Sequence, residues 1–208
     1  MRGLLRDIAR LKKSSIKQKI NSRLKEFKRF KRKSSEDIFK ELCFCILTAN
    51  STAERCINIH NRIGDGFLVL SSHQLKESLR QHGARFHTKR AEYISEARRY
   101  KSSIKNIIRH VKDKNRLRDW LVKNIKGIGY KEASHFLRNI GYNDFAIIDF
   151  HIIDILAKNR IIERPKSLTR EKYLEIEEEL RKIAEKTDLS LGELDLYLWY
   201  LETGKVLK

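Results

Sequence analysis

An all-α fold, two helical lobes flanking a cleft with a helix-hairpin-helix motif, is what this sequence predicts, and three observations predict it. Apolar residues recur at helical spacing: Ala133, Phe136, Leu137 and Ile140 share one face, as do Tyr173, Ile176, Leu180 and Ile183 across a Glu-rich stretch. Strand signals are poor, because "FLVL" (Phe67 to Leu70) and "FAII" (Phe145 to Ile148) are short runs that each introduce a following helix. Finally, Gly127-Ile128-Gly129 breaks an otherwise helical segment and places a lysine, Lys131, just behind the break.

In chain order, Leu4 to Phe30 is basic and amphipathic and groups with the C-terminal half. Ser34-Ser35-Glu36-Asp37 starts the next helix, and Ile38 to Ala49 is apolar on most faces, as the central helix of a core must be. Further starts are predicted at Ser72, at Thr169 and at Ser190, while Pro165 marks the clearest linker. The prediction is about ten or eleven helices. One lobe spans approximately 1–30 plus 142–208 and the other 31–141, with the hairpin at 118–140.

A hydrophobic content of 40% suits a folded chain of 208 residues and excludes wholesale disorder. Lys+Arg 46 against Asp+Glu 27 gives a formal charge of +19, which suits a polyanionic partner. A membrane is the weaker rival, since no segment approaches about 18 uncharged apolar residues. The opening "MRGLLRD" turns charged before an apolar run can form, so no signal peptide is expected. Cys43, Cys45 and Cys56 cannot all pair, and Cys43-x-Cys45 lacks zinc-ligand spacing. They read as buried structural thiols of a cytoplasmic, nucleoid-associated protein.

Two helices joined by a tight glycine turn present unpaired backbone N–H groups at the turn and at the second helix's positive end. A phosphodiester fits such a site, so Gly127, Ile128 and Gly129 read as a clamp for the DNA backbone that senses little sequence. The other reading is a plain αα-turn. Lys131 sits in the first turn of the second helix, where the helix end and Lys126 disfavour protonation; an amine so placed can form a Schiff base. Its partner is Asp149, which follows the apolar run Ala146 to Ile148 as a helix begins. As an N-cap it would be held rigidly and kept ionised, and both properties serve an electrostatic or general-base role.

The hairpin, its lysine and the following Asp-x-His resemble the helix-hairpin-helix superfamily of base-excision DNA glycosylases. From "FKELCFCILTAN" to "WYLETGKVLK" the chain is similar to the short, mostly archaeal class of 8-oxoguanine DNA glycosylase/AP lyases. The resemblance implies that Lys131 attacks C1′ and releases the base, after which β-elimination nicks the strand. Asp149 would stabilise the oxocarbenium-like centre and His151 would contact phosphate; on residues alone His151 is a helix-surface histidine. Chemistry on a base requires lifting it from the duplex. Phe86 and Trp199 would pack the damaged guanine, the terminal Lys208 would help recognise it, and Asn50 would fill the gap left behind. Bland readings compete: Trp199 lies in an apolar helix, and the tail after Gly204 could be disordered, although Val206 and Leu207 argue for docking.

The implied partner is double-stranded DNA containing a damaged base, bound by a monomer. No cofactor is required, apart from an alkali cation that turn carbonyls could hold. An iron–sulfur cluster is not expected, because no cysteine lies beyond Cys56. Two alternatives remain: the same fold acting on oxidised pyrimidines, and a non-enzymatic nucleic-acid binder.

Overall fold

Small polar residues stand before many of the apolar-periodic runs, and helices begin where such a side chain takes up the first amide groups. In the computed structural model, which describes residues 1–208, Ser34 accepts from the Asp37 N–H and Thr169 from the Lys172 N–H. Ser71 and Ser190 close full capping boxes with Gln74 and Glu193. The cap of the helix at Ser72 is thus one residue earlier than predicted.

Thirteen α-helices, a 3₁₀ turn at Arg98–Tyr100 and no strand result. They are α1 (Arg2–Lys12), α2 (Ile16–Phe30), α3 (Ser35–Thr48), α4 (Ala53–Ile63), α5 (Gly66–Val69), α6 (Ser72–Gln81) and α7 (His87–Ala97). Then follow α8 (Ile104–His110), α9 (Lys114–Asn124), α10 (Tyr130–Asn139), α11 (Phe150–Lys158), α12 (Arg170–Thr187) and α13 (Leu191–Thr203). The prediction of ten or eleven fell short for two local reasons. The basic N-terminal stretch breaks at Ser14, whose hydroxyl donates to the Leu11 carbonyl and accepts from the Ile16 N–H. "FLVL" does not merely lead into a helix; most of it forms the four-residue α5.

The chain forms two compact units. The first comprises Met1–Arg29 and Leu137–Lys208, the second Phe30–Phe136. In the second, α3 is buried along nearly its whole length and is surrounded by α4, α5, α7 and α8. In the first, α1 packs on α12 and α13, and α11 packs on α13. Ile16, Ile20, Leu24 and Phe27 of α2 meet Leu196 and Tyr197 of α13, each large side chain contributing about 1.5–3 kcal/mol by leaving water. Arg138 forms a buried ion pair with Asp195, and its guanidinium lies 4.8 Å from the Phe27 ring centroid.

All three cysteines are buried and none forms a disulfide. Burial pushes the Cys43 thiol well up from its ordinary value, against the opposing charge of Arg98. A thiol buried in the core is out of a reagent's reach. At pH 8 a disulfide reagent should therefore modify none of the three in the native protein and all of them after denaturation. Rapid native labelling would contradict this packing.

Candidate functional site

The glycine turn is held on both sides. Helix α9 ends at Asn124, and Gly127 takes φ +79°, a left-handed conformation that glycine adopts without strain. A Cβ there would lie 2.5 Å from Cδ2 of Tyr93 on α7, so the position excludes a side chain on steric grounds as well. Beside it Lys126 pairs with Glu96 of α7 at 2.9 Å, and Ile128 is buried. The Tyr130 hydroxyl donates to Asp119, and Arg118 donates to Ser134 Oγ at 3.3 Å, tying α10 to α9.

Two of the three amides expected to be open are already engaged. Gly129 N–H donates to Glu132 Oε2 at 3.2 Å, and Ile128 N–H approaches the Ile125 carbonyl at 3.3 Å. The cause is ordinary helix-start chemistry. Glu132 is the third residue of α10 and reaches back to the N-cap, attracted to the positive helix end as a phosphate would be. Lys131, the second residue of α10, keeps its side chain mostly covered; its Nζ lies 3.7 Å from Glu132 Oε1.

Asn50 and Phe86 both adopt left-handed backbone, φ +51° and +54°. For Asn50, immediately after the C-cap of α3, that conformation is common. For a bulky residue such as Phe86 it is an outlier that costs on the order of 1–3 kcal/mol, and the ring it displays is 56% exposed. Arg90 connects the two. Its buried guanidinium donates to the Leu47 and Ala49 carbonyls at the end of α3, while its own N–H donates to the Phe86 carbonyl at 3.0 Å.

The first unit carries the remaining residues. Asp149 is the N-cap of α11, and Oδ1 accepts the Ile152 N–H at 3.0 Å. His151 stands edge-on to Trp199 with centroids 5.2 Å apart, and its Nδ1 lies 3.9 Å from Glu202. Trp199 is half-buried, between the expected stacking surface and the competing core reading. Gly204 ends α13 in the left-handed conformation, Val206 packs on the α2–α13 cluster, and Lys208 is partly covered. Thus Asp149, His151, Trp199 and Lys208 belong to the first unit, and Asn50, Phe86, the glycine turn and Lys131 to the second.

The family profile described as 8-oxoguanine DNA glycosylase matches residues 20–189. The chain belongs to the 8-oxoguanine DNA glycosylase family. Among its glycosylase relatives, the 8-oxoguanine DNA glycosylase/AP lyase of Methanocaldococcus jannaschii is 59% identical over 206 residues, covering 99% of both chains. That of Korarchaeum cryptofilum is 52% identical, covering 99% of this chain and 98% of its own. The crystal structure of the M. jannaschii glycosylase/lyase in complex with a 15mer DNA containing 8-oxoguanine superposes with a TM-score of 0.96, covering 99% of each chain.

Sequence reasoning about this glycosylase missed Glu132, Tyr93 and Arg90. Glu132 had a usable signal, its capping-box distance from Gly129; the other two act on segments far away in the chain. Because Gly127 is constrained both by its φ and by Tyr93, Gly127→Ala should destabilise the fold by about 2–4 kcal/mol. Denaturant unfolding checks this, and a loss below about 0.5 kcal/mol would show that the turn relaxes.

Proposed function

We propose that this protein removes 8-oxoguanine from double-stranded DNA and nicks the strand at the resulting site. One observation carries the reading: within a single hairpin, a helix start that already holds an anion, the Glu132 carboxylate on the Gly129 amide, stands two residues from the lysine amine of Lys131. The DNA backbone would take over from Glu132 at the helix start and bring C1′ of the lesion nucleotide to Lys131 Nζ. The amine forms a bond to C1′ as the bond from C1′ to the base breaks; the departing base takes a proton. The C1′–O4′ bond then breaks as O4′ takes a proton, opening the sugar ring and leaving an imine between Lys131 and C1′. The imine acidifies the adjacent C2′–H, and loss of that proton breaks the C3′–O bond and expels the 3′ phosphate by β-elimination. Water in place of the amine would yield only an abasic site.

Asp149 is assigned the electrostatic role at the positive centre developing on C1′. Phe86 is assigned to the displaced base because its strained backbone and exposed ring have no folding rationale. Trp199 and Lys208 are assigned to the same base, His151 to a phosphate, and Asn50 to the gap in the duplex. An iron–sulfur cluster forms no part of the proposal, since the three cysteines lie within the core of one unit and no fourth exists. No helix is long and apolar enough to cross a membrane.

Borohydride trapping on duplexes with single defined lesions tests the assignment. A covalent adduct should form on 8-oxoguanine DNA and vanish in Lys131→Gln. An adduct confined to oxidised pyrimidines would move the substrate, and salt-sensitive binding without any adduct would leave only a binder. Asp149→Asn separates the aspartate's two roles, because asparagine caps a helix as well as aspartate does. Base release should fall about 100-fold or more while the melting temperature holds. A preserved rate would remove Asp149 from the chemistry.

A further inference from the structure

Asp149 follows a backbone of an unusual kind. Phe145 to Ile148 is free of helix and strand and buried at every residue. Peptide groups shut away from water need partners inside the protein, and no neighbouring strand supplies them. Side chains of α12 do so instead. Glu177 Oε1 accepts the Ala146 N–H at 3.0 Å. The Tyr173 hydroxyl donates to the Ala146 carbonyl at 2.7 Å and accepts the Ile148 N–H at 3.3 Å. The two side chains stand one helical turn apart, 1% and 4% exposed, and together copy the alternating donors and acceptors of a strand edge.

We infer that Tyr173 and Glu177 form a clamp that positions the Asp149 carboxylate for base release. The inference rests on the role proposed above for Asp149. Packing alone would be served by phenylalanine at 173, because a buried hydroxyl is costly unless it is bonded. These two bonds reach the segment that delivers Asp149, the second at the residue just before it. On the other side the Ile152 N–H holds the carboxylate itself. Asp149 is therefore gripped upstream through Tyr173 and downstream through its own cap. Without the hydroxyl the ring keeps its place, but the Ala146 carbonyl and the Ile148 N–H lose its bonds and the segment before Asp149 is held less firmly. A displacement of about 1 Å at a reacting group can cost about 100-fold in rate.

The test is a double-mutant cycle read as single-turnover base release from 8-oxoguanine duplex, with DNA affinity measured alongside. Tyr173→Phe should slow release about tenfold or more with Kd within about twofold, a split that a loss of folded protein would not produce. In an Asp149→Asn background the same change should alter the rate by less than about twofold, since groups acting through one another are not additive. Equal losses in both backgrounds, or a loss seen only in Kd, would overturn the clamp. A wild-type rate in Tyr173→Phe beside a slow Asp149→Asn would overturn it alone. A wild-type rate in Asp149→Asn would remove both the aspartate reading and the clamp. If Tyr173→Phe fails to fold, Glu177→Ala and Glu177→Gln carry the same cycle. Glutamine keeps an acceptor for Ala146 and should recover most of what alanine loses; equal behaviour of the two would count against the clamp.

Discussion

Helix α7 is the constraint on which the functional surface of the second unit depends. Phe86 is its N-cap, Arg90 lies one turn on and Tyr93 about one turn further, so all three lie along one helical face. Phe86 is the exposed ring itself. Arg90 fixes the carbonyls that precede Asn50, and Tyr93 fills the space that only a glycine at 127 leaves open. A single helix thus sets the spacing of Phe86, the Asn50 turn and the glycine turn. The strained backbone at Phe86 is tolerable because both neighbouring turns are over-determined.

The residues assigned to the site gather at helix ends, where backbone groups are left over. Asp149 and Phe86 are N-caps, Lys131 is in a first turn, and Asn50 follows a last turn. A carboxylate already occupies the start of α10. This internal anion keeps the amide satisfied without DNA, so the helix start holds negative charge before any ligand arrives. The same carboxylate sits beside Lys131, so exchanging it for a phosphate would alter the surroundings of the amine as well.

Much of this was legible in the sequence where the determinant is local. Capping residues mark the helix starts within a residue, the glycine turn announces the hairpin, and Asp149 falls where an N-cap is needed. What escaped is the set of polar side chains that serve distant backbone. Arg90 acts on residues more than forty positions earlier, and Tyr173 and Glu177 act on a segment twenty-five or more positions earlier. On a helix face these residues are indistinguishable from solvated charge or ordinary core. Their purpose depends on a tertiary neighbour that no periodicity encodes.

The same point qualifies the basic excess. Arg90, Arg118 and Arg138 are buried, and Arg98 gives its guanidinium to the Phe67 and Leu70 carbonyls. A planar fork of donors can satisfy several carbonyls at once and tolerates the loss of water better than an ammonium does. Those arginines are committed to the interior and offer nothing to a polyanion. No lysine is buried in the same way, because its compact, strongly hydrated charge holds to solvent. The cationic side chains presented to DNA are therefore fewer than the total and weighted toward lysine. Lysine binds phosphate as a point charge rather than by a fork matched to base edges, so this surface favours the backbone over sequence. An enzyme whose lesion can lie in any sequence needs that preference.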